Sequence, residues 1–123
     1  MEQNTILYIE DNFHNRRIAR KILQSRGYVM VEAEDGPTGL EMVRTLKPRV
    51  VLLDIGLPGM DGLEVVAQIK ADGDLQRIPV IALTASAMRG DRERFLAAGC
   101  DDYLSKPVQA AELIAKVQAY MPK

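Results

Sequence analysis

The segment Val50-Val51-Leu52-Leu53-Asp54-Ile55-Gly56-Leu57-Pro58-Gly59-Met60-Asp61-Gly62 runs from four consecutive apolar residues into an acid, then a Pro-Gly turn, then an Asp-Gly pair. An unbroken apolar run bounded by turn residues is the pattern of a strand buried on both faces, as in a parallel sheet covered by helices. Asp61 precedes Gly62-Leu63-Glu64 as a helix N-cap with an acid at the third position. The segment reads strand, loop, helix, with a carboxylate placed where the strand ends.

The same pattern repeats outward in both directions. Further apolar runs are Ile6-Leu7-Tyr8-Ile9, Tyr28-Val29-Met30-Val31, Val80-Ile81-Ala82-Leu83 and the short Tyr103-Leu104. Between them lie stretches with helical spacing: Ile18 and Ile22 beside Ala19 and Leu23; Leu40, Val43 and Leu46; Ala110, Leu113, Val117 and Tyr120. Each would line one helix face. Gly27 and Gly99 follow helical stretches, where a left-handed residue ends a helix, and Pro37 suits a first turn. The order is β-α five times over, which specifies an α/β fold with a parallel sheet and right-handed crossovers. No repeat, low-complexity segment or linker interrupts it, so residues 1–123 read as a single domain.

Bulk composition excludes several classes. The net charge is −1, which argues against a large basic footprint for nucleic acid. No apolar run approaches the ~18 residues that span a bilayer, and the short polar Met1–Thr5 segment is no signal peptide. Cys100 is the sole cysteine, so an intrachain disulfide or cysteine metal cluster is ruled out, and a reducing, cytoplasmic setting follows.

In an open parallel sheet, ligands bind beyond the carboxyl ends of the strands. Here those ends supply Glu10-Asp11, Asp54, Thr84 and Ser105-Lys106-Pro107, with Glu32-Ala33-Glu34 expected to be peripheral. Converging carboxylates suit a hard cation such as Mg2+. Without it, close acids repel, and at least one pKa should rise. A phosphoryl group would meet the metal on one side, Lys106 on the other, and a hydrogen bond from Thr84. That inventory fits phosphoryl transfer by positioning and charge neutralisation, with a carboxylate as nucleophile. Taken singly, each group has a plainer reading. Glu10-Asp11-Asn12 can cap the first helix, Asp54 can lead a turn, Thr84 can be structural, and Lys106-Pro107 can be a surface turn. Four independent strand ends supplying suitable groups is the stronger observation. His14, Asp35, Asp91, Asp101 and Asp102 read as caps or solvated charges, and Cys100 as a small buried apolar group. Arg16, Arg17, Arg20 and Lys21 read as a solvated basic face or a docking surface.

These motifs are similar to those of the receiver domain of two-component response regulators, along essentially the whole chain. The matching segments are Glu10-Asp11-Asn12, Asp54 to Gly62, Thr84-Ala85 and Lys106-Pro107. The resemblance implies a flavodoxin-like three-layer fold with strand order 2-1-3-4-5. It implies Asp54 as phosphoacceptor. Glu10, Asp11, Asp54 and the Gly56 backbone carbonyl would hold Mg2+, or Mn2+ in its place. Thr84, Ala85 and Lys106 would meet the phosphoryl oxygens, the peptide before Pro107 would be cis, and Tyr103 would be the aromatic that turns inward on activation. Gly56 and Ser86, both small, leave the phosphoryl lifetime open. It further implies a phosphorylation switch rather than a turnover enzyme. Its phosphoryl donor would be a histidine kinase or histidine phosphotransfer protein docking near Phe13, Arg17 and Ile18, and its output a downstream protein target. The chain would be a monomer or a weak phosphorylation-dependent dimer.

The chain ends at Lys123, directly after the fifth helix, so no effector domain is expected. Single-domain regulators of bacterial cell division and the receivers of hybrid kinases are the similar groups, on Glu10-Asp11-Asn12 with Asn15-Arg16 and on Ala87-Met88-Arg89-Gly90-Asp91. Three other readings compete: a flavodoxin-like mononucleotide carrier, a phosphatase with an aspartyl-phosphate intermediate, and a receiver-like scaffold that never takes phosphate. The first wants a Gly/Ser/Thr-rich loop where Glu10-Asp11-Asn12-Phe13 stands. The second wants an acid where Gly56 stands. The complete residue set argues against the third.

Overall fold

The computed structural model describes residues 4–57, 61–85 and 91–121. Five strands alternate with five helices: β1 (Thr5–Ile9), α1 (Phe13–Gln24), β2 (Val29–Ala33), α2 (Gly36–Leu46), β3 (Val50–Asp54), α3 (Gly62–Ala71), β4 (Val80–Thr84), α4 (Asp91–Ala98), β5 (Asp102–Ser105) and α5 (Ala110–Tyr120). All pairings are parallel, and the sheet order is β2-β1-β3-β4-β5. Pro58, Gly59 and Met60 of the loop before α3, and Ser86 with Ala87-Met88-Arg89-Gly90, lie outside the described residues.

The continuous apolar runs of β1, β3 and β4 are explained by burial on both sides, whereas β2, at the sheet edge, leaves Val29 exposed. Successive strand residues point to opposite faces. Leu7 and Ile9, Val51 and Leu53, and Val80 and Ala82 join one core cluster with residues of α2, α3 and α4. Ile6 and Tyr8, Val50 and Leu52, and Ile81 and Leu83 join the other, with residues of α1 and α5. Every residue of β1, β3 and β4 is buried. Register then aligns the functional ends: Ile9 pairs with Leu53, Asp54 with Leu83, and Thr84 with Ser105.

Caps follow the sequence at several ends. Asn12, Asp35 and Asp61 accept hydrogen bonds from Asn15, Thr38 and Leu63 N–H, and Gly27 and Gly99 adopt φ +82° and +113°. The expected helix faces bury Ala19, Leu23, Leu40, Val43, Leu113 and Val117, and differ at Ile18, Leu46 and Ala110. In α1 the buried residues are Arg16, Ala19 and Leu23, and Ile18 is 49% exposed. The helix is rotated so that Arg16 lies against the sheet edge, where Glu32 receives it. In α2, Leu40 and Val43 are buried beside Gly36 and Gly39, and Leu46 is exposed. That helix ends at Lys47 in the left-handed conformation (φ 47°), a cap made by a residue type that gives no warning of it. Ala110 lies on the exposed side of α5, which buries Leu113 and Val117.

Candidate functional site

The carboxyl edge of the sheet brings Glu10, Asp11 and Asp54 together. A carboxylate oxygen from each lies within 4.8 Å of the other two. Glu10 and Asp54 are buried and Asp11 is exposed. Lys106 reaches into the same place, its Nζ 2.8 Å from Glu10 Oε1 and 3.2 Å from Asp54 Oδ2. The Lys106–Pro107 peptide is cis, and Lys106 N–H donates to the Thr84 carbonyl at 2.8 Å, tying the end of β5 to the end of β4.

Each acid has a distinct environment. Glu10 Oε1 accepts from the Tyr8 hydroxyl at 3.0 Å and from Asn15 Nδ2 at 3.4 Å, in addition to Lys106. Its Oε2 accepts from Asn12 N–H at 3.1 Å. Burial raises the Glu10 pKa, but the Lys106 and Asn12 hydrogen bonds outweigh it and hold the carboxyl below the ordinary range. Asp54 receives the Gly56 N–H at 3.0 Å. Burial pushes the Asp54 pKa up; the Gly56 N–H opposes that, and Glu10 adds to it. Lys106 is held ionised: burial works against its charge, and Glu10 and Asp54 more than compensate. Two acids with one shared cation thus leave a surplus of negative charge around Asp54, with Asp11 open to solvent beside it.

That surplus fits a hard divalent cation. The donors are carboxylate oxygens, close enough to share one ion, and the exposed side at Asp11 leaves room for the waters Mg2+ retains.

Thr84, at the end of β4, is buried. Ala85 follows it and is exposed. Tyr103 is half-buried, its ring centroid 6.4 Å from that of Phe95. Phe13 and Ile18 are 61% and 49% exposed beside the acidic edge, with Arg17 exposed between them on α1. Arg16 departs from the solvated basic face expected of it. It is buried, donating to the Glu10 carbonyl and to Glu32 Oε1, both at 2.8 Å. Arg20 pairs with the same Glu32, so the acid at the end of β2 is a structural anchor. Asp101 and Asp102 are likewise bonded, to Lys70 and to Lys116, rather than merely solvated. His14 is exposed, and Cys100 is buried, its thiol pushed up to about 11 by burial.

Tyr8 escaped the reading of strand ends because it sits inside a strand. The signal that could have found it is its spacing: two residues before Glu10, on the strand that leads into that acid, where alternate residues point the same way. Burial, with the charge on Glu10 second, raises the Tyr8 pKa far above the ordinary range, so the hydroxyl stays a donor.

Comparison with known proteins agrees with this geometry. The polar-differentiation response regulator DivK of Brucella anthropi is 38% identical over 117 residues, 95% of each chain. The receiver domain of the sensor histidine kinase PA1611 from Pseudomonas aeruginosa, solved with magnesium coordinated in its active-site cleft, is 38% identical. It superposes with a TM-score of 0.87, over 95% of this chain and 96% of that one. The BeF3-activated receiver domain of RstA from Klebsiella pneumoniae is 26% identical, with a TM-score of 0.86 over 98% of this chain and all of that one. The described residues contain no helix long and apolar enough to cross a membrane. The response regulator receiver domain model matches residues 6–118, from the first residues of β1 into α5 and across the whole acidic edge, and the chain belongs to that family.

Proposed function

We propose that residues 1–123 form one receiver domain that takes a phosphoryl group from a phosphohistidine onto Asp54. It would then switch the surface it offers to a downstream protein. The observation that carries this reading is the buried Asp54 carboxylate, 3.2 Å from the Lys106 ammonium and clustered with Glu10 and Asp11. An Asp54 oxygen attacks phosphorus while the bond from phosphorus to the donor's imidazole nitrogen breaks, its electron pair remaining on nitrogen. The product is an acyl phosphate, which water later cleaves at phosphorus to restore the carboxylate. Glu10, Asp11, Asp54 and the Gly56 carbonyl would hold Mg2+ or Mn2+. Bound there, the cation supplies positive charge to the phosphoryl oxygens as they approach the acids. Lys106 neutralises one oxygen, the Thr84 hydroxyl donates to another, and Ala85 follows in the same loop.

Phosphorylation adds about 1.5–2 negative charges. Thr84 gains a partner at the phosphoryl group and moves toward it, and the half-buried Tyr103 turns inward behind it. The surface formed by β4, α4 and β5 changes with them, a population shift driven by contacts that exist only in the phosphorylated state. Phe13, Arg17 and Ile18 form the docking face for a histidine kinase or phosphotransfer protein, with which the domain would share the cytoplasm. Any self-association would be weak and phosphorylation-dependent, through α4 and α5.

The test is incubation with Mg2+ and a small acyl-phosphate donor, beside an Asp54→Asn control, read by intact mass. A metal-dependent phosphoryl adduct absent from the control is the expected result. No adduct, together with no amide shift on adding beryllofluoride, would overturn the reading. Arg17→Glu should slow transfer from a phosphohistidine protein and leave labelling by the small donor unchanged; equal rates from the protein donor would remove Arg17 from the docking face.

A further inference from the structure

Glu10 has donors of two kinds. Lys106 is shared: its Nζ lies 2.8 Å from Glu10 and 3.2 Å from Asp54, so a phosphoryl group on Asp54 competes for it. Tyr8 is not shared. Its side chain is fully buried, and its hydroxyl is 3.0 Å from Glu10 Oε1. Asn15 is a longer contact at 3.4 Å, and Asn12 N–H serves the other oxygen. When Lys106 turns to the phosphoryl group, Tyr8 is the donor at normal distance left on Oε1.

We infer that Tyr8 is a positioning residue for the divalent cation, its buried hydroxyl keeping the Glu10 carboxylate in place so that Lys106 can leave it for the phosphoryl group. The geometry suits the task. Tyr8 lies in β1 and Glu10 directly follows its last residue, Ile9, with the Glu10 N–H held on the Ala33 carbonyl at 2.9 Å, so the backbone is fixed at both ends of the contact. The ring sits in the core between the sheet and the α1 and α5 helices, which removes its freedom to follow Lys106. Hydrogen-bond partners of metal-binding carboxylates commonly change metal affinity about 10–100-fold when removed. Phenylalanine fills the same ring-shaped space and leaves Glu10 its other donors, so the fold is retained.

This inference rests on the cation-binding reading of Glu10, and four proteins test it: wild type, Tyr8→Phe, Glu10→Gln and the double variant. Mg2+ is titrated into each, with half-saturation read from backbone amide shifts and thermal unfolding as a control. The expected result is a rise of about tenfold in half-saturating Mg2+ for Tyr8→Phe, shrinking below about twofold in the Glu10→Gln background. A Tyr8→Phe protein that binds Mg2+ as wild type does, or one that loses equal affinity in both backgrounds, would overturn the role of Tyr8 and leave the receiver reading intact. A wild-type protein that binds no Mg2+ would overturn both.

Discussion

The Lys106 ammonium stands 2.8 Å from Glu10 Oε1, nearer than to the Asp54 oxygen at 3.2 Å. The ammonium proposed to meet an incoming phosphoryl group is therefore held against both acids, and more closely against Glu10. Lys106→Ala removes the only described cation that touches both acids. Phosphoryl adduct formation on Asp54 should fall by about a hundredfold or more, the usual cost of losing one group aimed at developing charge. A time course by intact mass checks this, and labelling at the wild-type rate would remove Lys106 from the chemistry.

Asp54 is a site of stored repulsion. Two buried carboxylates share one ammonium, so replacing one with a neutral isostere relieves the domain. In the absence of divalent cation, Asp54→Asn should be more stable than wild type by about 1 kcal/mol, a typical exchange of stability for function. Urea unfolding in chelator measures it. Adding Mg2+ should narrow the gap, because the ion stabilises the folded state that binds it.

Neighbouring arginines on α1 should behave differently. Arg16 is buried and donates to the Glu10 carbonyl and to Glu32, and its contact with the exposed Glu34 adds little. Arg16→Ala should cost about 3 kcal/mol, as breaking a buried ion pair does. Arg17→Ala, on the exposed side, should lie within about 0.5 kcal/mol of wild type. Denaturant unfolding of the two variants side by side decides the matter.

Acid stability should depend on Glu32. Burial raises the Glu32 pKa, but hydrogen bonds from Arg20 and Arg16 outweigh it and the pKa lies below its ordinary 4.5. A depressed carboxyl contributes stability that is fully present above the unfolded value and is lost as pH falls through the folded one. Wild type should therefore lose stability progressively below about pH 4.5, and Glu32→Gln should have a flatter acid limb while being less stable at neutral pH. Urea midpoints from pH 7 to pH 3 measure both slopes, and parallel curves would contradict the assignment.

Gly62 and Gly56 flank the same loop, with opposite tolerance. A Cβ on Gly62 would lie 2.7 Å from the Ile55 Cα and 2.9 Å from the Asp54 carbonyl oxygen, both backbone atoms. Gly62→Ala should destabilise by about 2 kcal/mol and slow phosphorylation, since Asp54 itself has to shift. Among the described residues, a Cβ on Gly56 would meet only Asp54 Oδ1, at 3.6 Å, an ordinary contact. Gly56→Ala should fold with near-wild-type stability. Thermal unfolding and adduct mass report on both variants.

The sheet, its order of elements and the acidic edge could be read from the chain because they rest on local regularities. A strand buried on both faces must be continuously apolar, and Val50 to Leu53 is so. A strand that ends at a ligand-binding edge must put its polar residue there, and Glu10, Asp54 and Thr84 stand in those places. Asn12, Asp35 and Asp61 cap helices through contacts two or three residues away, within reach of a sequence pattern. Other features depend on distances between residues far apart in the chain, which periodicity does not encode. The face of α1 that buries Arg16 with Ala19 and Leu23 and exposes Ile18 places Arg16 on Glu32, sixteen residues on, in a neighbouring strand. The left-handed turn at Lys47 belongs to a residue type that rarely makes one. The division of labour at Glu10, between a fixed hydroxyl from Tyr8 and a shared ammonium from Lys106, exists only because β1 and the turn after β5 meet at one edge. Sequence alone determined which groups reach the site; the tertiary structure decided which of them are already holding one another, since a hydrogen bond across the fold depends on where the packed helices and strands finally bring two side chains.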